Sequence, residues 1–203
     1  MSDLEKWRGD LGLTDLIDKQ DVPKFDLRIE VLGQLDEASS ALGMVRACSA
    51  FETTKSMVLE IQRDLCWMMS DLAAISPDET AGSHTTPERV LYLQTEFHRR
   101  TAEAPLGNAF VVPGDSQSSA TLHLARAIVR RAERYVTLLE QEAGLPNSNI
   151  LPYLNRLSAL LYVLARGEDE AEGTASTRAH PSSQGTVAPP AASEDPPEKD
   201  RPL

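Results

Sequence analysis

Aromatic residues are scarce in this 203-residue chain, at only 5% of positions. That shortage fits helices better than sheets, whose strands favour aromatic and β-branched side chains. Cysteine is scarcer still. Cys48 and Cys66 fall inside helical patterns without metal-ligand spacing, so they read as core thiols in a reducing compartment rather than a disulfide. Long apolar runs are missing: nothing approaches the roughly 18 residues a membrane span needs, and Met1-Ser2-Asp3-Leu4-Glu5 does not read as a signal peptide. Positive charge is also short, with 20 Lys and Arg against 31 Asp and Glu for a net −11. Such a balance argues against a nucleic-acid binder, because phosphate backbones need a concentrated basic surface. The expectation is a cytoplasmic protein that engages neither membrane nor nucleic acid. What is present, 41% hydrophobic residues, suffices for one core.

The apolar spacing predicts an all-α fold, an up-and-down bundle of about five helices. Residues 1–27 read as a loop-like N-terminal segment and 28–167 as the bundle. The first helix spans about Arg28 to Phe51, with Leu32, Leu35, Ala38, Leu42 and Val45 on one stripe. A second covers about Thr54 to Ile75, and a third about Pro87 to Ala102, with Thr86 as N-cap. The fourth runs from about Gln117 to Gly144. A fifth starts after Pro146-Asn147-Ser148-Asn149 and ends near Arg166-Gly167. Residues 168–203 open with Glu168-Asp169-Glu170 and turn to Ser, Thr, Ala and Pro. With little bulky apolar surface to offset ordering entropy, they predict a disordered acidic tail.

The fourth helix is the most informative. Leu122, Ala125, Val129, Ala132 and Val136 make an apolar stripe, while Arg126, Arg130, Glu133 and Arg134 share the other face. A glutamate among arginines can hold some of them extended and leave others free to grip an anion bidentately. The same pattern also suits a solvated charged face. On the first helix, Gly33, Asp36, Ser40 and Gly43 form a row of small residues around one carboxylate. It reads either as a close approach by a cation-bearing element, with fourth-helix arginines as candidate partners, or as a packing groove with Asp36 at its margin. Asn155, Ser158, Tyr162 and Arg166 make a polar row on the fifth helix, suited to a ribose or base, or to satisfied core polars. Near the N-terminus, Gly9, Asp10, Gly12 and Thr14, with Lys24, can bring backbone N–H groups to a phosphate, although the Gly-Lys-Ser/Thr ending of common ATPase loops is missing.

In order, these pieces are Gly9-Asp10-x-Gly12-x-Thr14, Arg28-Ile29-Glu30 to Gly33-x-x-Asp36-Glu37, Ile61-Gln62-x-Asp64-Leu65 and Phe110-Val111-Val112-Pro113-Gly114. Leu122-His123-x-Ala125-Arg126 through Arg130-Arg131-Ala132-Glu133-Arg134 and Tyr153-Leu154-Asn155-Arg156-Leu157-Ser158 complete the series. From about residue 6 to 166 the chain resembles the ATP:cob(I)alamin adenosyltransferases of the propanediol-utilisation type. That resemblance implies a helical bundle assembled as a homotrimer, with ATP bound between subunits and cobalamin as second substrate. It implies Asp36 paired with Arg126 across the interface, and Gly9, Asp10, Gly12, Thr14, Lys24, Arg130, Glu133, Arg134 and Asn155 around ATP. Phe110 would stand at the cobalamin face, where an aromatic ring displaces the lower cobalt ligand and makes cobalt(II) easier to reduce. Mg²⁺ would accompany ATP; a reductase and a cobalamin-dependent acceptor enzyme would be partners. The residues suggest no other metal.

The chain departs from the family pattern mainly around the N-terminal loop. Lys6-Trp7-Arg8 replaces a Thr-Lys/Arg-Thr run, and Asp18-Lys19 a Gly-Gly pair. Elsewhere, Ser39 stands for an asparagine, Asp115 for a second glycine after Pro113, and Ala159 for an aspartate. These changes keep a second possibility open, a non-catalytic relative that binds a corrinoid or nucleotide as carrier, sensor or partner subunit.

Overall fold

The computed structural model describes residues 5, 7–74, 84–103 and 110–180. Five helices carry the fold: α1 Leu27–Cys48, α2 Glu52–Ala73, α3 Pro87–Glu103, α4 Gln117–Ala143 and α5 Ile150–Ala171. Helices α1, α3 and α4 begin or end for a local reason. The Asp26 carboxylate accepts from the Arg28 amide at 2.9 Å to cap α1, and the Ser116 hydroxyl caps α4 by accepting from the Ser119 amide. Pro87, lacking an amide hydrogen, opens α3 where none is needed. Gly144 stops α4 at φ 76°, a left-handed value that costs other residues strain.

The expected stripes become the core. Leu35, Ala38, Leu42 and Val45 of α1 are buried, as are Leu122, Ala125, Val129, Ala132 and Val136 of α4. Burying each large aliphatic side chain stabilises the fold by about 1.5–3 kcal/mol. Helix α1 packs on α2 and α4, and α5 on α4 and α3. A polar node ties α2, α3 and α5 together: Asp64 accepts from Arg89 and, at 2.6 Å, from the hydroxyl of fully buried Tyr153. Burial and the neighbouring Asp64 carboxylate push the Tyr153 hydroxyl well above its ordinary pKa, so it stays a donor.

Three expectations need correction. The N-terminal segment is more ordered than a loop: a 3₁₀ turn, Arg8–Leu11, leads into a small antiparallel pair, β1 Leu13–Thr14 with β2 Val22–Pro23. Next, α5 does not stop near Gly167. It continues through Glu168 and Asp169, which are only 2% and 3% exposed and accept from distant hydroxyls. Ser49 donates to Glu168 at 2.8 Å, and Ser116 and Ser119 donate to Asp169 at 2.8 and 2.9 Å. The boundary placed at 168 is therefore wrong for residues 168–180, which are ordered against the bundle; 181–203 lie outside the described residues, as does Ile75. Finally, Cys66 is exposed and Cys48 half-buried, so neither is a core thiol, although both are unpaired. No helix among the described residues is long and apolar enough to cross a membrane.

Candidate active site

Two groups of the expected residues assemble, one around the N-terminal hairpin and α1, the other along α4 and α5. The first gathers around the N-terminal hairpin. Lys24 Nζ donates to the Gly9 carbonyl at 2.9 Å, its amide donates to the Gly12 carbonyl at 2.9 Å, and Asp10 accepts from the Trp7 amide. Gly12 takes a left-handed φ of 73° to make this turn. Thr14, on β1, lines an open groove of about 600 Å³ together with Ile17, Gly33, Asp36, Met69 and Ala73. Gly9, Asp10, Gly12, Thr14, Lys24 and Asp36 thus share one surface, where the hairpin crosses α1 and α2.

Charge on this surface is largely compensated from within. Arg8 is clamped between Asp15 and Asp21, at 2.8 and 2.5 Å. Asp18, which stands where the family pattern has glycine, pairs with Arg28 at 3.1 Å. Gly33 is exposed, and a Cβ added to it would meet nothing within 4 Å. A mid-helix glycine costs about 0.5–1 kcal/mol relative to alanine, and nothing within the described residues repays it.

The second group lies along α4 and α5, which pack on each other. Glu133 accepts from the Asn155 side-chain amide at 3.0 Å. The Arg126 guanidinium lies over the Tyr162 ring, 6.0 Å from its centroid, and the His123 ring meets the same tyrosine edge-on. Arg134 donates to the Arg130 carbonyl at 2.9 Å. Among the described residues, no ion pair involves Arg126, Arg130, Arg134 or Arg166. Nε of Arg126, Nη1 of Arg166 and Nδ1 of His123 are buried without a hydrogen-bond partner. Buried polar atoms without partners are costly, and the two guanidinium groups could donate to an acceptor from outside the chain. Burial, then the Arg126 charge, lowers the His123 pKa, which keeps its ring neutral.

Phe110 stands on the segment leading into α4, where its carbonyl accepts from the Ala179 amide. Its ring is 81% exposed, so it is not a core residue. Asp115, five residues on, lies close enough to Arg166 to interact with its charge.

The expected pairing of Asp36 with a fourth-helix arginine is absent within the chain. The arginine that reaches α1 is Arg131, which donates to Gln34 Oε1 at 2.7 Å and to the Glu37 carboxylate. The sequence shows Arg131 only as part of the Arg130-Arg131-Ala132-Glu133-Arg134 run, because only tertiary pairing separates it from its neighbour Arg130. Tyr162 was visible only as one member of a polar row. The contact of Asp115 with Thr177 could not be anticipated while residues 168–203 read as a tail.

The family described as cobalamin adenosyltransferase matches residues 6–168. The chain belongs to this family. Among its adenosyltransferase relatives, the corrinoid adenosyltransferase PduO of Salmonella typhimurium is 34% identical over 162 residues, 79% of this chain and 48% of that protein. The chain therefore spans about half the length of this relative. The corrinoid adenosyltransferase of Bacillus subtilis is 37% identical over 78% of this chain and 82% of its own length. The same fold occurs in a variant PduO-type ATP:corrinoid adenosyltransferase from Lactobacillus reuteri complexed with cobalamin and ATP. That structure shares 28% identity and a TM-score of 0.78, covering 86% of this chain and 95% of its own.

Proposed function

We propose that the chain transfers the 5′-deoxyadenosyl group of ATP to cob(I)alamin, giving adenosylcobalamin and triphosphate. The observation that carries this reading is a set of arginines on α4 and α5 outside every ion pair among the described residues. In a protein with net charge −11, Arg126, Arg130 and Arg166 take part in no close ion pair among the described residues. Guanidiniums left uncompensated beside so many acids are matched to a strongly anionic ligand. The complexes of the Lactobacillus relative with cobalamin and ATP support the identity of that ligand.

The reaction needs no nucleophile from the protein. Cobalt(I) supplies an electron pair to C5′ of ATP, the Co–C bond forms, and the C5′–O bond breaks with its electrons leaving on triphosphate. The protein must align the two substrates and stabilise the departing charge. Arg126 and Glu133 are seven residues apart on α4, or about 10 Å along its axis. That length suits a nucleotide laid along α4, with Arg130 and Arg134 on the phosphates and Asn155 and Glu133 beside the nucleoside. Mg²⁺ enters with ATP, whose phosphate oxygens are its ordinary ligands. Phe110 is the ring for the lower face of the corrin.

The hairpin surface with Asp36 completes the site from a second copy of the chain, in a homotrimer. Three features support this. Asp36 and Arg126 form no ion pair with each other within the described residues, Gly33 has open space before it, and Met44, Leu124 and Leu138 are exposed large apolar side chains on α1 and α4. Unpaired Cys48 and Cys66 suit the cytoplasm, where a reductase would supply cob(I)alamin and a cobalamin-dependent enzyme would take the product.

One observation favours a second reading, a carrier or sensor that binds without turning over. The hairpin cations Arg8, Lys24 and Arg28 are all engaged internally, by Asp15 and Asp21, the Gly9 carbonyl and Asp18. Anaerobic mixing with chemically reduced cobalamin and Mg·ATP separates the two. Transferase activity predicts the absorbance change of adenosylcobalamin and one triphosphate per product. Binding of both ligands without product selects the carrier.

A further inference from the structure

Phe110 poses a positional problem: a ring 81% exposed is not fixed by core packing, so its place is set by its backbone. That backbone is held by residues beyond α5. The chain turns at Gly173, whose φ of 69° is left-handed, and runs back along the segment that precedes α4. The Ala179 amide donates to the Phe110 carbonyl at 2.8 Å, the Val112 amide to the Thr177 carbonyl at 2.8 Å, and Val111 pairs antiparallel with Arg178 between them.

Two such short strands are marginal alone, and here carboxylates anchor them. Asp115 accepts from both the amide and the hydroxyl of Thr177, each at 2.7 Å, and these bonds hold its carboxyl below the usual range. Asp169 accepts from the Ser176 hydroxyl at 3.1 Å, while its carbonyl accepts from the Thr174 amide at 2.8 Å. Asp169 is itself fixed by Ser116 and Ser119 at the start of α4. Phe110 and Asp115 therefore grip one strap at neighbouring points, and the strap is tied to the ends of α4 and α5.

We propose that residues 174–180 form a strap that sets the position of Phe110, with Asp115 and Thr177 as positioning residues. This rests on the adenosyl-transfer reading for the role of the ring. Asp115 occupies a position where the family pattern has glycine, and its carboxylate supplies a fastening that glycine could not. The strap acts on access to four-coordinate cobalt(II), the step that needs the ring, and not on ATP.

The test uses full-length chains bearing Asp115→Ala, Thr177→Val or the conservative Asp115→Asn, which can still accept from the Thr177 amide. With ATP and cob(II)alamin bound, the electron paramagnetic resonance signal of lower-ligand-free cobalt(II) should fall in Asp115→Ala and Thr177→Val and largely return in Asp115→Asn. Turnover from cob(II)alamin with a reductant should drop about tenfold in Asp115→Ala, and turnover from pre-reduced cob(I)alamin less than about twofold. Equal losses from both cobalt states, or an unchanged cobalt(II) signal, overturn the strap. Failure of the parent chain to turn over either state would overturn the transferase reading instead; the cobalt(II) signal would still decide the strap, because ligand displacement requires no transfer.

Discussion

Asn155 holds the Glu133 carboxylate through its side-chain amide, Nδ2 to Oε1 at 3.0 Å, from α5 to α4. The bond keeps an acid one turn from Arg130 without pairing the two. Asn155→Ala should release Glu133 toward that guanidinium and weaken ATP binding about tenfold. Calorimetric titration measures this, and an unchanged affinity would show that the amide is idle.

Asp18 has the opposite effect at the hairpin, where it occupies Arg28 at 3.1 Å. Asp18→Gly should free that guanidinium and remove a repelling carboxylate, tightening ATP binding by about three- to tenfold at low ionic strength. Adding salt should shrink the gain. Weaker binding in the variant would show that Asp18 serves the site rather than obstructing it.

His123 makes stability depend on pH. Burial and Arg126 lower its pKa in the folded chain below the ordinary 6.5. Between the lowered value and 6.5, the unfolded chain binds more protons, so stability falls as pH falls through that window and levels off beneath it. Urea midpoints at pH about 5 and about 7 should differ more for the parent than for His123→Gln. Equal pH sensitivity in both would remove His123 as the cause.

The helices were legible because their signals are local. The α4 stripe from Leu122 to Val136, the Pro87 start and the Gly144 stop each act within a few residues, and each appears as expected. The clustering of Arg126, Arg130, Glu133 and Asn155 was legible for the same reason, through helical spacing and one neighbouring helix. What escaped depends on partners far along the chain. Glu168 and Asp169 look like a solvated charge run until Ser49, Ser116 and Ser119 arrive from other elements. Arg131 cannot be told from Arg130 until α1 presents Gln34 and Glu37. The hairpin has strands of only two residues, too short for any alternation to register.

A site divided between copies makes a distinct prediction for mixed assemblies. Asp36→Ala and Arg126→Ala chains should each be inactive alone. Co-assembled in equal amounts, about a quarter of the interfaces would join an intact Asp36 from one chain to an intact Arg126 from the next. Turnover should recover to about that fraction. No recovery in confirmed mixed oligomers would mean that both residues serve the same chain's site.

The most direct test of the account is ATP titration of Arg130→Ala. Arg130 is an exposed residue without a carboxylate partner among the described residues, so its loss leaves the core intact. Helical circular dichroism and the unfolding midpoint should stay at parent values, while ATP affinity falls about a hundredfold. An unchanged affinity in the folded variant would contradict the placement of the triphosphate on α4.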